Sequence, residues 1–369
     1  MRLPVMKAPE PRRVLIATIA LTARTGTAVY TRDLAFALLR RGHLPIVYAS
    51  QTGPLAEELR HATIPVVTDL DDVAAPPDVI HGHHQLETLT ALTRFPRVPA
   101  LFVCHDGLTW HSIPPIGPRI GLYVAVDRNC RDRMVFEHGI PEQSIHVLTN
   151  PVDLRRFGRR SSLPPKPRRA FVFSNNAEEE TWVKPIRGAC ESRGITLEIG
   201  GSAGRPIDRP EDVLPRYDLV FAKARCAIEA LAAGAAVIVC DAQGLAGLVT
   251  TDSLAAMRQL NFGARTLRRP VTATDIGTEI DRYDPANAAA VCDRIRLSAD
   301  IDLLVDQYAG LYDELCAQPP AEGDEMLAVS RSLSRMAAHL YAHVGTEGPA
   351  RSSLLRRLRR RLERLLRGY

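Results

Sequence analysis

From residue 14 onward, short runs of β-branched and aliphatic residues alternate with longer amphipathic stretches. Val14–Ala20 predicts a buried strand, and the Thr-Ala-Arg-Thr-Gly-Thr run of residues 22–27 predicts a turn. Apolar periodicity over Ala28–Arg41, closed by Gly42, predicts a helix. Further strands are expected at Pro45–Ala49, Ile64–Val67, Val79–His81, Ala100–Cys104, Leu122–Val126 and Ile145–Leu148, with helical patterns between most of them. Strands that are apolar along their whole length and alternate with helices belong to parallel sheets covered on both faces.

The rhythm breaks at residues 155–169, Arg-Arg-Phe-Gly-Arg-Arg-Ser-Ser-Leu-Pro-Pro-Lys-Pro-Arg-Arg, which lack apolar periodicity and read as a linker. It then resumes, with strands expected at Ala170–Ser174, Thr196–Ile199, Leu219–Ala222 and Ala236–Cys240. Helices are expected near 185–193, 225–233 and 285–297, and two more near 300–317 and 325–343, interrupted by Pro-Pro-Ala-Glu-Gly. The organisation predicted is α/β, with two tandem Rossmann-like domains facing one another across a cleft. The first covers 13–157, a linker 158–168, the second 169–300, C-terminal helices 301–345 and a basic tail 351–369. Open parallel sheets take ligands at the carboxyl ends of their strands, where helix N-termini point.

Composition narrows the classes. The 369 residues are 46% hydrophobic and 24% charged, which is ordinary for globular domains. No apolar run approaches the roughly 20 residues that span a bilayer. The first 13 residues carry Pro4, Pro9, Glu10 and Pro11 in place of a leader's apolar stretch, so a cytoplasmic location is expected. Seven scattered cysteines without a CxxC pair argue against a disulfide framework and a zinc site. Of the net charge of +5, eight arginines and one glutamate in residues 351–369 account for +7, which leaves the rest of the chain at −2. A body so nearly neutral is not expected to bind nucleic acid.

Three places collect residues that could do chemistry. After the first strand, Gly26 and Thr27 open a helix, where small residues let amides approach an anion. A tight, capped turn explains the same residues. His105, just past the strand Ala100–Cys104, stands where reactive groups collect and is the catalytic candidate, able to bond a sugar hydroxyl or stabilise developing charge. His81-Gly-His-His84 ends the preceding strand, without metal-site spacing, so no metal is expected. The third place runs from Tyr217 to Gly247, where a buried strand passes through Lys223-Ala224-Arg225 into a helix holding Glu229 and ending at Gly234. Lys223 and Arg225 supply countercharge for a diphosphate, and Glu229, flanked by apolar residues, is placed to accept two ribose hydroxyls. A solvated helix face is the ordinary alternative for a lone glutamate. The next strand leads into a loop bearing Gly244.

These segments resemble retaining glycosyltransferases of family 4, which have the GT-B architecture. The resemblance covers about residues 13–250: the opening strand–loop–helix, the run Tyr123–Phe157 with Asn150, Val152, Asp153 and Phe157, and the Glu229-Ala-Leu-Ala-Ala-Gly234 helix with the strand after it. It implies that the second domain holds a nucleoside-diphosphate sugar and the first an acceptor. Glu229 would then hold the ribose, the backbone around Arg225, Cys226 and Ala227 the diphosphate, and His105 the transferred sugar. It also implies front-face displacement with retention, without metal or other cofactor. Two departures stand out. Phe221 replaces the glutamate that family members carry eight positions before the ribose-binding one. Ser174–Glu180 replaces their Arg and Lys pair, which makes Lys184, Lys223 and Arg225 the substitute cations.

In the tail, Leu354, Leu355, Leu358, Leu362, Leu365 and Leu366 fall on one helical stripe among arginines. That pattern suits an anionic membrane surface, and with it a lipid-linked or envelope acceptor at the inner face of the membrane. A solubilising tail and a partner-docking helix give the same pattern. A nucleotide-sugar 2-epimerase and a non-catalytic nucleotide-sugar-binding protein are the competing readings of the whole chain.

Overall fold

The computed structural model describes residues 10–201, 207–319 and 323–344; the basic tail at 351–369 lies outside them. Seven parallel strands form the first sheet: β1 (Arg13–Ala20), β2 (Leu44–Gln51), β3 (Val66–Val67), β4 (Val79–Gly82), β5 (Ala100–Cys104), β6 (Ile120–Ala125) and β7 (Ile145–Val147), in the order β3-β2-β1-β4-β5-β6-β7. The crossovers include α1 (Gly26–Arg40), α2 (Pro54–His61), α3 (Gln85–Arg94) and α4 (Arg128–Phe136). The second sheet joins β8 (Arg169–Phe173), β9 (Thr196–Gly200), β10 (Leu219–Ala222), β11 (Ala236–Asp241) and β12 (Gly244–Leu248) in the order β12-β11-β10-β8-β9. Around it lie α5 (Lys184–Glu191), α6 (Pro210–Val213), α7 (Ala224–Ala233), α8 (Leu254–Gln259), α9 (Ala273–Asp281) and α10 (Pro285–Ser298).

The uninterrupted apolar runs become central strands because both faces of each sheet are covered. Val14, Leu15, Ile16 and Ala17 are all fully buried, as are Leu219, Val220, Phe221 and Ala222. One strand departs from the expectation. Gly244–Leu248, expected as a loop, pairs antiparallel with β11 and closes the sheet edge.

The chain crosses between domains twice at one place. Outbound Val152 and returning Ala299–Ile301 are hydrogen-bonded, Val152 N–H to the Ala299 carbonyl at 2.7 Å and Ile301 N–H to the Val152 carbonyl at 3.1 Å. Val152 and Phe157, placed by the sequence at the end of the first domain, pack in the second core. Conversely α11 (Ile301–Ala317) returns to the first, burying Ile301, Leu304, Val305, Tyr308, Leu311, Tyr312 and Leu315 in its core. The last helix among the described residues, α12 (Glu325–Val344), contacts α3. Among the described residues no helix is long and apolar enough to cross a membrane.

Candidate functional site

Strand order reverses beside β1 in the first sheet and between β8 and β10 in the second. Each reversal opens a crevice beyond the carboxyl ends of the strands. One cavity of about 540 Å³ lies between the two. Thr22, Ala23, Arg24, Thr25 and Gly26 line it after β1, Phe173, Asn175 and Asn176 after β8, and Arg225, Cys226 and Glu229 after β10. Gly201, Ile207, Asp208 and Pro210 complete the second-domain side. Gly201 has φ +129°, and a side chain there would collide with the Ser174 carbonyl, so the wall requires glycine.

Helix α7 starts under strain and ends without it. Its first residue, Ala224, has φ +52°, a left-handed conformation that costs a side-chain-bearing residue free energy. The Ala224 N–H is thereby directed to the Phe262 carbonyl at 3.0 Å. Gly234, at φ +90°, ends the helix in the same region at no steric cost.

Glu229 lies one turn into α7, only 4% exposed, and accepts a hydrogen bond from Arg225 Nε at 2.8 Å. Burial lifts its carboxyl above the ordinary value, an effect that Arg225 partly offsets. Arg225 also bonds Asp33, a fully buried residue of α1 in the opposite domain. Burial alone would raise the Asp33 carboxyl too. Arg225, Arg156 and Arg32 together hold it below its ordinary value. Arg156, in the outbound crossing, reaches Asp33 at 3.3 Å and Glu211 at 2.8 Å. Asp33, Arg156 and Glu211 were absent from the sequence-based site. The signal for Asp33 was a charge inside the apolar stripe of α1, between Tyr30 and Leu34.

Of the residues expected at the site, Gly26, Arg225, Cys226 and Glu229 come together at the cavity. Ala227 is buried within α7, and Thr27 lies in the first turn of α1 without lining the cavity. The others stand apart. Lys184 is exposed at the start of α5. Lys223 is taken up by Asp241 and lies 3.3 Å from Gln243 Oε1. Gly244 belongs to β12, with the Arg269 carbonyl packed against its Cα. Of the three expected cations only Arg225 lines the cavity, beside Arg156 and Arg24.

His105 does not line the cavity. Its Nε2 lies 2.6 Å from Nδ1 of His83, and Tyr30 of α1 meets its ring edge-on at 4.8 Å. His81 is bonded through Nδ1 to the Tyr312 hydroxyl at 2.7 Å, and Tyr30 to Tyr308 at 2.7 Å, so α11 seals this cluster from behind. Burial drives these imidazoles to the neutral form. His105 falls well below its ordinary value, with His84, His81 and Arg225 adding to the effect, and His81 and His84 fall to about 3. Among the described residues no group of three or more His, Cys, Asp or Glu side chains could hold a metal ion.

Known proteins can be set against this geometry. Residues 24–156 match the family profile described as Glycosyltransferase Family 4. A glycosyltransferase from Rickettsia africae superposes with a TM-score of 0.60 at 13% identity, over 84% of this chain and all of that one. The chain has the GT-B fold. Anabaena HepE in complex with UDP and glucose superposes on the GT-B chain at 0.58 and 14% identity, covering 82% of it and 99% of HepE. A Listeria monocytogenes protein assigned as a UDP-N-acetylglucosamine 2-epimerase reaches 0.51 at 15% identity, covering 85% of this chain and all of its own. No curated protein matches the sequence.

Proposed function

We propose that this protein is a glycosyltransferase that holds a nucleoside-diphosphate sugar in the interdomain cleft and passes the sugar to a glycan, lipid-linked or envelope acceptor. The observation that carries the reading is the Glu229 carboxylate, withdrawn from bulk water yet lining the cavity one turn above the α7 N-terminus. A carboxylate there accepts two ribose hydroxyls, and the α7 amides with Arg225 take the diphosphate. Retention of configuration and independence from metal and other cofactors belong to the same reading. His105 serves in it as the group nearest the transferred sugar, which requires the first domain's loop to present it beyond its present contact with His83. The UDP and glucose bound by HepE make UDP-sugars the first donors to try.

The test is a thermal-shift panel of UDP-, GDP- and ADP-sugars against wild type and Glu229→Ala. Ligand that binds only the native state raises apparent stability. A shift for one nucleotide class, lost in Glu229→Ala, is expected; a flat panel for wild type removes the reading. The likeness to the Listeria protein supports a second reading, nucleotide-sugar 2-epimerisation. It is separated by product: UDP and an altered sugar, released by water at the anomeric bond without any acceptor. Turnover of neither kind, with binding intact, identifies a non-catalytic nucleotide-sugar-binding protein. The arginine- and leucine-rich tail is proposed to meet anionic lipid, as a lipid-linked acceptor would require. Equal flotation with anionic liposomes of the full chain and a chain ending at Gly348 would count against it.

A further inference from the structure

A diphosphate brings at least two negative charges and needs guanidinium groups free to meet them. Among the described residues of this cleft none is free. Arg24 pairs with Glu58 at 2.6 Å, and Arg32 with Asp33 at 2.7 Å and Glu58 at 2.8 Å. Arg156 pairs with Asp33 and Glu211, and Arg225 with Asp33 and Glu229. Four arginines thus meet four carboxylates, and Asp208 adds a further acid to the lining.

The carboxylates are not equivalent. Glu229 is held within its own helix, four residues from Arg225. Glu211, in α6, belongs to the second domain, like α7. Asp33 alone reaches across: it sits on α1 of the first domain and bonds Arg225 of α7 and Arg156 of the crossing segment. It is fully buried, and both of its distant partners line the cavity. Carboxylate and phosphate oxygens fit the same guanidinium fork.

We propose that Asp33 holds the place of the ligand's phosphate: its carboxylate occupies Arg225 and Arg156 in this conformation, is exchanged for a phosphoryl group when a nucleotide enters, and so sets the cleft's affinity for anions. The inference rests on reading the cleft as a nucleoside-diphosphate site. It implies that nucleotide entry is coupled to loss of an interdomain ion pair, and that affinity is held below what the arginines alone would give.

Calorimetric titration of UDP and of uridine into the full wild-type chain and Asp33→Asn tests it. Removing one negative charge a few ångströms from the phosphate site is expected to tighten UDP binding about tenfold. Uridine, which lacks phosphate, is expected to bind both proteins alike. Should Asp33→Asn fail to fold, Arg32→Ala with Asp33→Ala removes one charge of each sign, still releases Arg225 and Arg156, and is expected to tighten UDP in the same direction. Wild type that binds UDP, with a variant that binds it equally or more weakly, overturns the role of Asp33 and leaves the nucleotide site standing. Equal tightening of uridine also overturns that role. If neither protein binds UDP or the GDP and ADP counterparts, both readings fall together.

Discussion

At the carboxyl ends of β4 and β5 the first domain gathers His81, His83, His84 and His105 with Tyr30, Tyr308 and Tyr312. Beyond β10 the second domain presents Glu229 and Arg225, and Arg225 closes with Arg156 on Asp33. Both walls bury polar side chains, but by different physical means. Imidazoles escape the cost of a buried charge by giving up their proton, and then need only hydrogen bonds. Guanidinium groups cannot deprotonate in a protein, and those of this wall are matched by carboxylates. The first wall is therefore tuned by solvent exclusion and the second by charge balance, and they should fail under different stresses.

The largest effect is expected where balance is removed outright. Arg225→Ala leaves Asp33 short of one partner and Glu229 without its ion pair, and should cost about 3–5 kcal/mol in urea denaturation. A loss under about 1 kcal/mol would mean that water already screens these carboxylates and that the second wall resembles an ordinary surface.

Acid should find the first wall. Histidines held near 3 in the folded protein titrate near 6.5 when unfolded. Across that window the unfolded chain binds protons that the folded one refuses. The stability from His81 and His84 is therefore complete above about pH 6.5 and declines as pH falls, by about 1.4 kcal/mol per pH unit for each. Urea midpoints at pH 7, 6 and 5 should show the decline, and His84→Gln should flatten it. An unchanged slope would place His84 among freely titrating groups.

The smallest effect sharpens the second wall. Ala224→Gly relieves the left-handed strain at the start of α7 but frees the unfolded chain, for a net gain of about 0.5 kcal/mol. Thermal midpoints check it. A loss instead would show that the Ala224 methyl makes packing contacts worth more than the strain.

Much of the fold was legible because continuous apolar runs bounded by turn residues have few alternatives. Ala100–Cys104 and Leu219–Ala222 are strands at the bounds expected from the sequence. Short elements were not. α2, α8 and α9 went without an assignment of their own, and Gly244–Leu248 reads as a loop until β11 supplies the antiparallel hydrogen bonds. At the candidate site Glu229 was visible as a charge among alanines and leucines. Lys184, Lys223 and Gly244 have charge or backbone freedom near the right motif, and neither property fixes a residue's place in space.

By itself the sequence determined that two largely parallel α/β sheets would form in tandem, since strand burial and helix amphipathicity are local patterns. It also set the α7 segment apart, as a glutamate where apolar residues prevail. Only the tertiary structure decided which acid answers which base. Asp33 and Arg225 are 192 positions apart and meet because two domains close on each other. Coulomb energy depends on distance in space and on the exclusion of water, and neither is written in the spacing of residues along the chain.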